Sequence, residues 1–249
     1  MIKKIIIAGL LLILPLYGGM IACRPTSFSV KMITVKRIGF PCKKPPIALV
    51  EKMLDSCNIK FNKIDCVNWT DYPYKPDVKF RIAWSVDEIY LQYVVREKYV
   101  RAHFIDDTGA QPYKDSAVEF FMIPGNDSIY YNLELNCIGV GTFAGGALRT
   151  DRTRFGKNVT EQIRRSSSLG KSGFDTQTGD FEWKITIAIP LSIYSLSDVP
   201  PLAGRIVKAN FYKCGDELPE KCYLSWNPIV LEKPNFHSPQ FFGELLFEN

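Results

Sequence analysis

The chain has two histidines, His103 and His237, seven cysteines and 26 Asp+Glu. No GxSxG, HExxH, phosphate-binding or dinucleotide-binding glycine pattern occurs, so the common nucleophilic, metallopeptidase and nucleotide chemistries have no motif to rest on. Neither a CxxC pair nor a His/Cys cluster at zinc-ligand spacing is present. Carboxylates are what remains, because cleaving a glycosidic bond needs only two of them flanking that bond. Asp115 and Glu119 in DSAVEFF fall on one side of an extended segment at roughly 13 Å, too far apart for a retaining pair. A pair drawn from different strands keeps a glycoside hydrolase as the alternative reading.

Polar rows on strands suggest binding rather than catalysis. Along 129–138, Ile129, Tyr131, Leu133, Leu135 and Cys137 form an apolar face, and Tyr130, Asn132, Glu134 and Asn136 a polar one. Near Ile206 the same alternation sets Val207, Ala209 and Phe211 against Lys208, Asn210 and Tyr212. Amides, carboxylates and phenols in a row match the donor and acceptor needs of sugar hydroxyls; a solvated outer face is the plainer alternative. Trp226 precedes the turn-starting Asn227-Pro228, where an indole is placed to stack on a pyranose ring. Trp69, in NWTDYPYKP, has a similar loop setting, whereas Trp84 and Trp183 lie on apolar strand faces and are expected in the core.

The elements that must position these residues are strands. Hydrophobic residues make up 46% and charged residues 23% of 249, a globular composition. Aromatic content of 13%, with 16 Pro and 17 Gly, favours many short strands. Strands are predicted over Val78–Trp84 and Ile89–Arg96 as a hairpin, then over Val100–Ile105, Val118–Ile123, Ile129–Ile138, Trp183–Ile189, Ile206–Cys214, Cys222–Trp226 and Phe241–Phe247. Ile47–Cys57 and Val159–Ser168 carry helical patterns, and Leu191–Leu196 a turn. The expected fold is all-β, a sandwich of two antiparallel sheets of jelly-roll or immunoglobulin-like type. It occupies 64–249, behind an N-terminal extension over 23–63.

Residues 1–22 read as a signal peptide. Lys3 and Lys4 precede a twelve-residue apolar run, Ile5–Leu16, and Ala22 stands before Cys23. The run is shorter than the roughly 20 residues that span a bilayer. Ala22-Cys23 resembles a bacterial lipobox, which implies acylation of Cys23 and membrane anchoring. The anchor is expected in the outer membrane on its periplasmic face, since Arg24-Pro25-Thr26-Ser27 lacks an acidic run. Lipidation would consume the odd thiol, leaving Cys42, Cys57, Cys66, Cys137, Cys214 and Cys222. Cys214 and Cys222 bracket a turn where pairing is possible, and Cys137 suits a buried free thiol. Export and a formal charge of only +5 argue against nucleic acid as partner.

Read in order, NWTDYPYKPDVKFRIAW, VVREKYVRA, DSAVEFF, YYNLELNCIG, IRRSSSLG, KANFYKCGDEL and LSWNPIVLEKPNFHSPQFFGELLF resemble the family 9-like carbohydrate-binding modules of gut Bacteroidetes lipoproteins and enzyme-associated domains. The resemblance covers about 64–248. It implies a β-sandwich, non-catalytic glycan binding between aromatic rings, work beside glycan-degrading enzymes and a structural calcium ion, for which no ligand set can be named. The implied ligand-binding residues are Trp226, Asn227, Asn210, Tyr212 and Asp216, followed by Arg101, Glu119, Glu134, Asn136 and His237. Trp84 stands where the family pattern has histidine, and Cys222 lies in a stretch that usually contains His-Phe, so an altered ligand preference is expected. An envelope adhesion or structural protein is a third reading.

Overall fold

The computed structural model describes residues 29–249, so the signal segment and Cys23 lie outside the described residues. In chain order the elements are β1 (Met32–Arg37), α1 (Ile47–Ser56), β2 (Asn62–Lys63), β3 (Cys66–Val67), β4 (Asp77–Trp84), β5 (Glu88–Ala102), β6 (Ala117–Ile123) and β7 (Tyr130–Asn136). They continue with β8 (Gly141–Gly146), β9 (Thr153–Arg154), α2 (Lys157–Thr160), β10 (Arg164–Ser167), β11 (Phe174–Pro190), β12 (Ile206–Cys214), β13 (Tyr223–Ser225) and β14 (Gly243–Phe247). The fold is a β-sandwich. The back sheet runs β10-β11-β5-β4 with β2 on β4, and the front sheet runs β14-β12-β6-β7-β8-β9, with β13 on β12 and β3 on β13.

Strand β1 joins the two sheets: Met32–Val35 pair in parallel with β14, and Lys36 and Arg37 pair in parallel with β4. All other pairings are antiparallel among the described residues. Residues 32–37 are thus a working strand within the sandwich, although they precede the segment whose alternation first suggested strands. Parallel pairing with strands distant in sequence leaves no local turn to announce it.

The main core lies between the sheets. Phe80, Ile82, Leu91, Tyr93 and Ile187 from the back sheet meet Val118, Phe120, Leu133, Leu135 and Phe211 from the front, with Cys137, Trp84 and Trp183 buried among them. The period-two pattern identifies these positions because successive side chains alternate between faces. On the outer back face, α1 presents Val50 and Leu54 to Tyr90, Ala83 and Ala188. It ends in a Schellman arrangement: Asn58 takes φ 53°, and the amides of Asn58 and Ile59 donate to Asp55 O and Leu54 O.

Two elements and one cysteine pair differ from the sequence reading. Val100 and its neighbours continue β5 rather than opening a new strand. Val159–Ser168 is not one helix: α2 spans four residues and Arg164–Ser167 pair with β11 as an edge strand. Its polar RRSS composition is typical of an edge and carries no alternation signal. Cys214 and Cys222 are free, buried thiols. Cys214 pairs with Tyr223 across β12 and β13, so Cys222, one residue away, lies toward the opposite face, beside Lys213.

Candidate functional site

The outer face of the front sheet carries the polar rows, and the hairpin registers make them adjacent. Glu119 of β6 stands opposite Glu134 of β7 and opposite Tyr212 of β12. The segment following β13 folds back over this face and buries part of it a second time, with Trp69, Phe121, Tyr130, Tyr212, Ile229 and Phe242 forming a small aromatic core beneath it. Phe236 stacks on Tyr212 with centroids 4.2 Å apart and planes at 11°. Trp69 Nε1 donates to Leu231 O at 2.8 Å and so ties the segment down. Beside this small core a cavity of about 280 Å³ remains. Its walls include Glu119, Glu134, Asp216 and Cys214 at the floor, Tyr113, Tyr223 and Phe236 as rings, and Arg149, Asn235 and His237 at the sides.

Each wall is held from behind. The amide of Asp216 donates to Tyr113 O at 2.9 Å, joining the turn after β12 to the turn before β6. Tyr72 and Trp69 set their rings edge-on against Tyr223, at 4.8 and 6.3 Å. His237 Nδ1 shares a hydrogen bond with Tyr130 Oη at 3.0 Å. Arg152 lies 4.0 Å over the Tyr130 ring and donates to Gly146 O, Tyr130 O and Ala144 O, which fixes the β8–β9 turn that carries Arg149.

Burial dominates the electrostatics. It pushes the Glu119 carboxyl well above the usual carboxylate range, and the facing Glu134 adds repulsion. Glu134 is also raised by burial, against the Asn132 amide donating to it at 2.8 Å. Asp216 shifts upward for the same desolvation reason. Burial, with Arg152 and Arg149 nearby, lowers His237 to about 4, so its ring is neutral at physiological pH. The arrangement offers hydrogen-bond acceptors and donors around a space edged by aromatic faces, the composition of a small-molecule binding cavity.

A family model described as carbohydrate-binding family 9 matches residues 48–247. The chain belongs to this family. A crystal structure of a candidate carbohydrate-binding protein from Bacteroides uniformis is 42% identical, with a TM-score of 0.85, covering 88% of this chain and all of that one. Family 9 modules from Caldicellulosiruptor kristjanssonii, solved with glucose and with cellotriose, are 15% identical with TM-scores of 0.55. Each pair covers 88% of this chain and 96% or 94% of the other. At that identity the two modules support the shared sandwich fold. No curated protein matches the chain.

Of the family 9 residues anticipated from sequence, Glu119, Glu134, Asp216 and His237 come together in the cavity, and Tyr212 lies directly beneath it under Phe236. The others do not line it. Trp226 is 3% exposed and packs edge-on against Phe80 and Phe211 in the main core. A Cβ on Gly243 would come within 2.4 Å of its ring, so the indole lies against bare backbone and has no face left for a sugar. Asn210 and Asn227 are buried: the Asn210 side chain donates to Asn227 O and accepts the Asn227 backbone amide, while Asn227 Nδ2 donates to Phe241 O and its Oδ1 accepts the Lys31 amide. Asn136 caps the turn into β8, accepting from the amides of Ile138 and Val140. Arg101 is engaged by Glu217 and Asp115.

No three His, Cys, Asp or Glu side chains converge on a metal position among the described residues, so the structure names no ligand set for the calcium implied by the family resemblance. Asp115, a hard-oxygen candidate by type, accepts instead from the amides of His103 and Phe104 and from Asn136. Sequence reasoning did not single out Tyr113, Tyr223, Asn235 and Phe236, and it set Arg149 aside with the neighbouring basic residues. Tyr223 opens the short strand β13 and the others lie outside the strands, where no periodicity marks them, although Phe236 adjoins His237 in the NFHSP phrase.

Proposed function

We propose that this family 9 module binds a single sugar ring, free or at the end of a glycan, in the cavity between Phe236, Tyr223, Tyr113 and the Glu119–Glu134 pair. The observation that carries the reading is the convergence of three aromatic rings with buried carboxyls on the outer front face. At about 280 Å³ the space sits just below the ~300–1,000 Å³ of ordinary ligand cavities, which fits one ring rather than a long chain. Isothermal titration with glucose and cellotriose, repeated on Phe236→Ala, tests it. Binding that is lost in the variant supports the site, and undiminished binding places the sugar elsewhere.

Binding proceeds without cleavage. Glu119 and Glu134 are direct cross-strand partners on one sheet face, so both reach a ligand from the same side, whereas hydrolysis needs carboxyls flanking the bond. Incubation with a glycan panel releasing no product is the expected result. In the cell, the proposed setting is the periplasmic face of the outer membrane, with Cys23 acylated and the module working beside glycan-degrading enzymes. The charged start, apolar run and Ala22-Cys23 junction support it. Metabolic labelling with a palmitate analogue, absent in Cys23→Ala, is the check.

A further inference from the structure

We infer that the sugar taken by this cavity carries a positive charge, an amino sugar whose ammonium group sits against Glu119 and its neighbours. The inference rests on the sugar-binding reading above and specifies its ligand class. Three carboxyl groups, Glu119, Glu134 and Asp216, line one small cavity whose lining holds a single permanent cation, Arg149, on a solvent-exposed turn.

Glu119 is the decisive residue. It is 4% exposed, and its Oε1 accepts only the Cys214 thiol at 3.0 Å, a weak donor. Its Oε2 is not among the fully buried unpartnered polar atoms, and the residue lines the cavity. Buried carboxylates are ordinarily paired or richly hydrogen-bonded, because desolvation without compensation is costly.

Most of the nearby cations are already engaged, Arg154 on Ala110 O among them, while Arg149 and Lys221 lie on the exposed surface. Arg152 is tied to three backbone carbonyls and to Asn132. Arg101 meets Glu217 and Asp115, and Lys213 lies in the main core against Glu97 at 2.9 Å. His237 faces Tyr130 and stays neutral at physiological pH. Burial and mutual repulsion hold the carboxyls above their usual range, a penalty that a cation between them removes.

The three carboxyl groups line the cavity without converging on one point as a metal-holding group, among the described residues. A cation carried on a sugar-sized body fits, because Phe236, Tyr223 and Tyr113 offer faces to its ring. A neutral hexose offers these carboxyl groups hydrogen bonds but no charge to draw off their protons.

Titration calorimetry at about pH 6, where a primary amine is protonated, compares D-glucosamine with D-glucose, N-acetyl-D-glucosamine and calcium chloride alone. Glucosamine is expected to bind at least about tenfold more tightly than either neutral sugar, about 1.4 kcal/mol, with the preference weakening as salt is raised. Glu119→Gln, isosteric and uncharged, should abolish the preference, and Asp216→Asn should reduce it; thermal melting confirms that each is folded, and Asp216→Asn decides alone if Glu119→Gln is not. Glucose binding as tightly as glucosamine, with both lost in Phe236→Ala, would overturn this inference and leave the sugar site standing. Failure of all three sugars to bind would overturn both. Binding of calcium alone that disappears in Glu119→Gln would overturn the amino-sugar assignment in favour of a metal.

Discussion

Replacing Trp226 with alanine separates core from site. Its indole is 3% exposed, edge-on to Phe80 at 6.1 Å and Phe211 at 5.6 Å, and pressed on Gly243. Truncating a buried Trp costs about 3–5 kcal/mol through lost transfer energy and an unfilled cavity. For a chain of this size each kcal/mol moves Tm by roughly 2–4 °C, so the melt should fall by about 6–20 °C. Affinity per folded molecule, measured by calorimetry below the new melt with the sugar that binds wild type best, should stay within about threefold, because additivity holds for sites without shared partners. Phe236→Ala should do the reverse. Losing a half-buried ring that walls the cavity removes up to about 1.5–3 kcal/mol of contact, or roughly 10- to 150-fold in affinity, while the fold loses mainly the stack on Tyr212. A Trp226→Ala protein that keeps its wild-type melt and loses sugar binding would refute the assignment of both residues.

Lys213 and Glu97 are fully buried and 2.9 Å apart in the core, so Lys213→Met should cost about 3–5 kcal/mol by stranding a carboxylate; Lys213→Met with Glu97→Gln should recover part of that in chemical denaturation. His237 is lowered to about 4 from 6.5, so between those values the unfolded chain holds the extra proton and stability rises with pH. Compared with His237→Gln, wild type should therefore lose up to about 3 kcal/mol as pH falls from about 6.5 to 4. Glu119 has the opposite sign: its raised carboxyl binds a proton in the folded state that the unfolded chain has released, so its contribution falls as pH rises above the ordinary carboxylate value. Glu119→Gln should accordingly melt above wild type at neutral pH, with the gap closing toward pH ~4.

The alternation of Tyr131, Leu133, Leu135 and Cys137 against Tyr130, Asn132, Glu134 and Asn136 was legible because a strand's period of two is local, and it sorted the core face correctly. What happens on the other face was not. Whether a polar row meets solvent, ligand or more protein depends on the segment after β13, which arrives from about a hundred residues away and closes over Tyr130 and Tyr212. Asn136 and Asn210 are therefore amides spent on backbone, whereas Glu119 and Glu134, of the same row type, remain facing a space.

Trp226 shows the same limit from the opposite side. The polar turn after it suggested an exposed indole, but β13 pairs with β12 for only three residues and delivers residue 226 to the core between Phe80 and Phe211. A tryptophan at a strand end has two neighbourhoods, and local polarity describes only the one that follows it in the chain. The ring that walls the cavity is instead Phe236, whose position is set by the stack on Tyr212 and by Trp69 holding Leu231. Both supports are long-range contacts, so the aromatic most exposed to a ligand is the one whose sequence context says least about it. A site built this way, from one hairpin register and one returning segment, can change its ligand through turn residues such as Arg149 and Asn235 while the strands that carry Glu119 and Glu134 stay fixed.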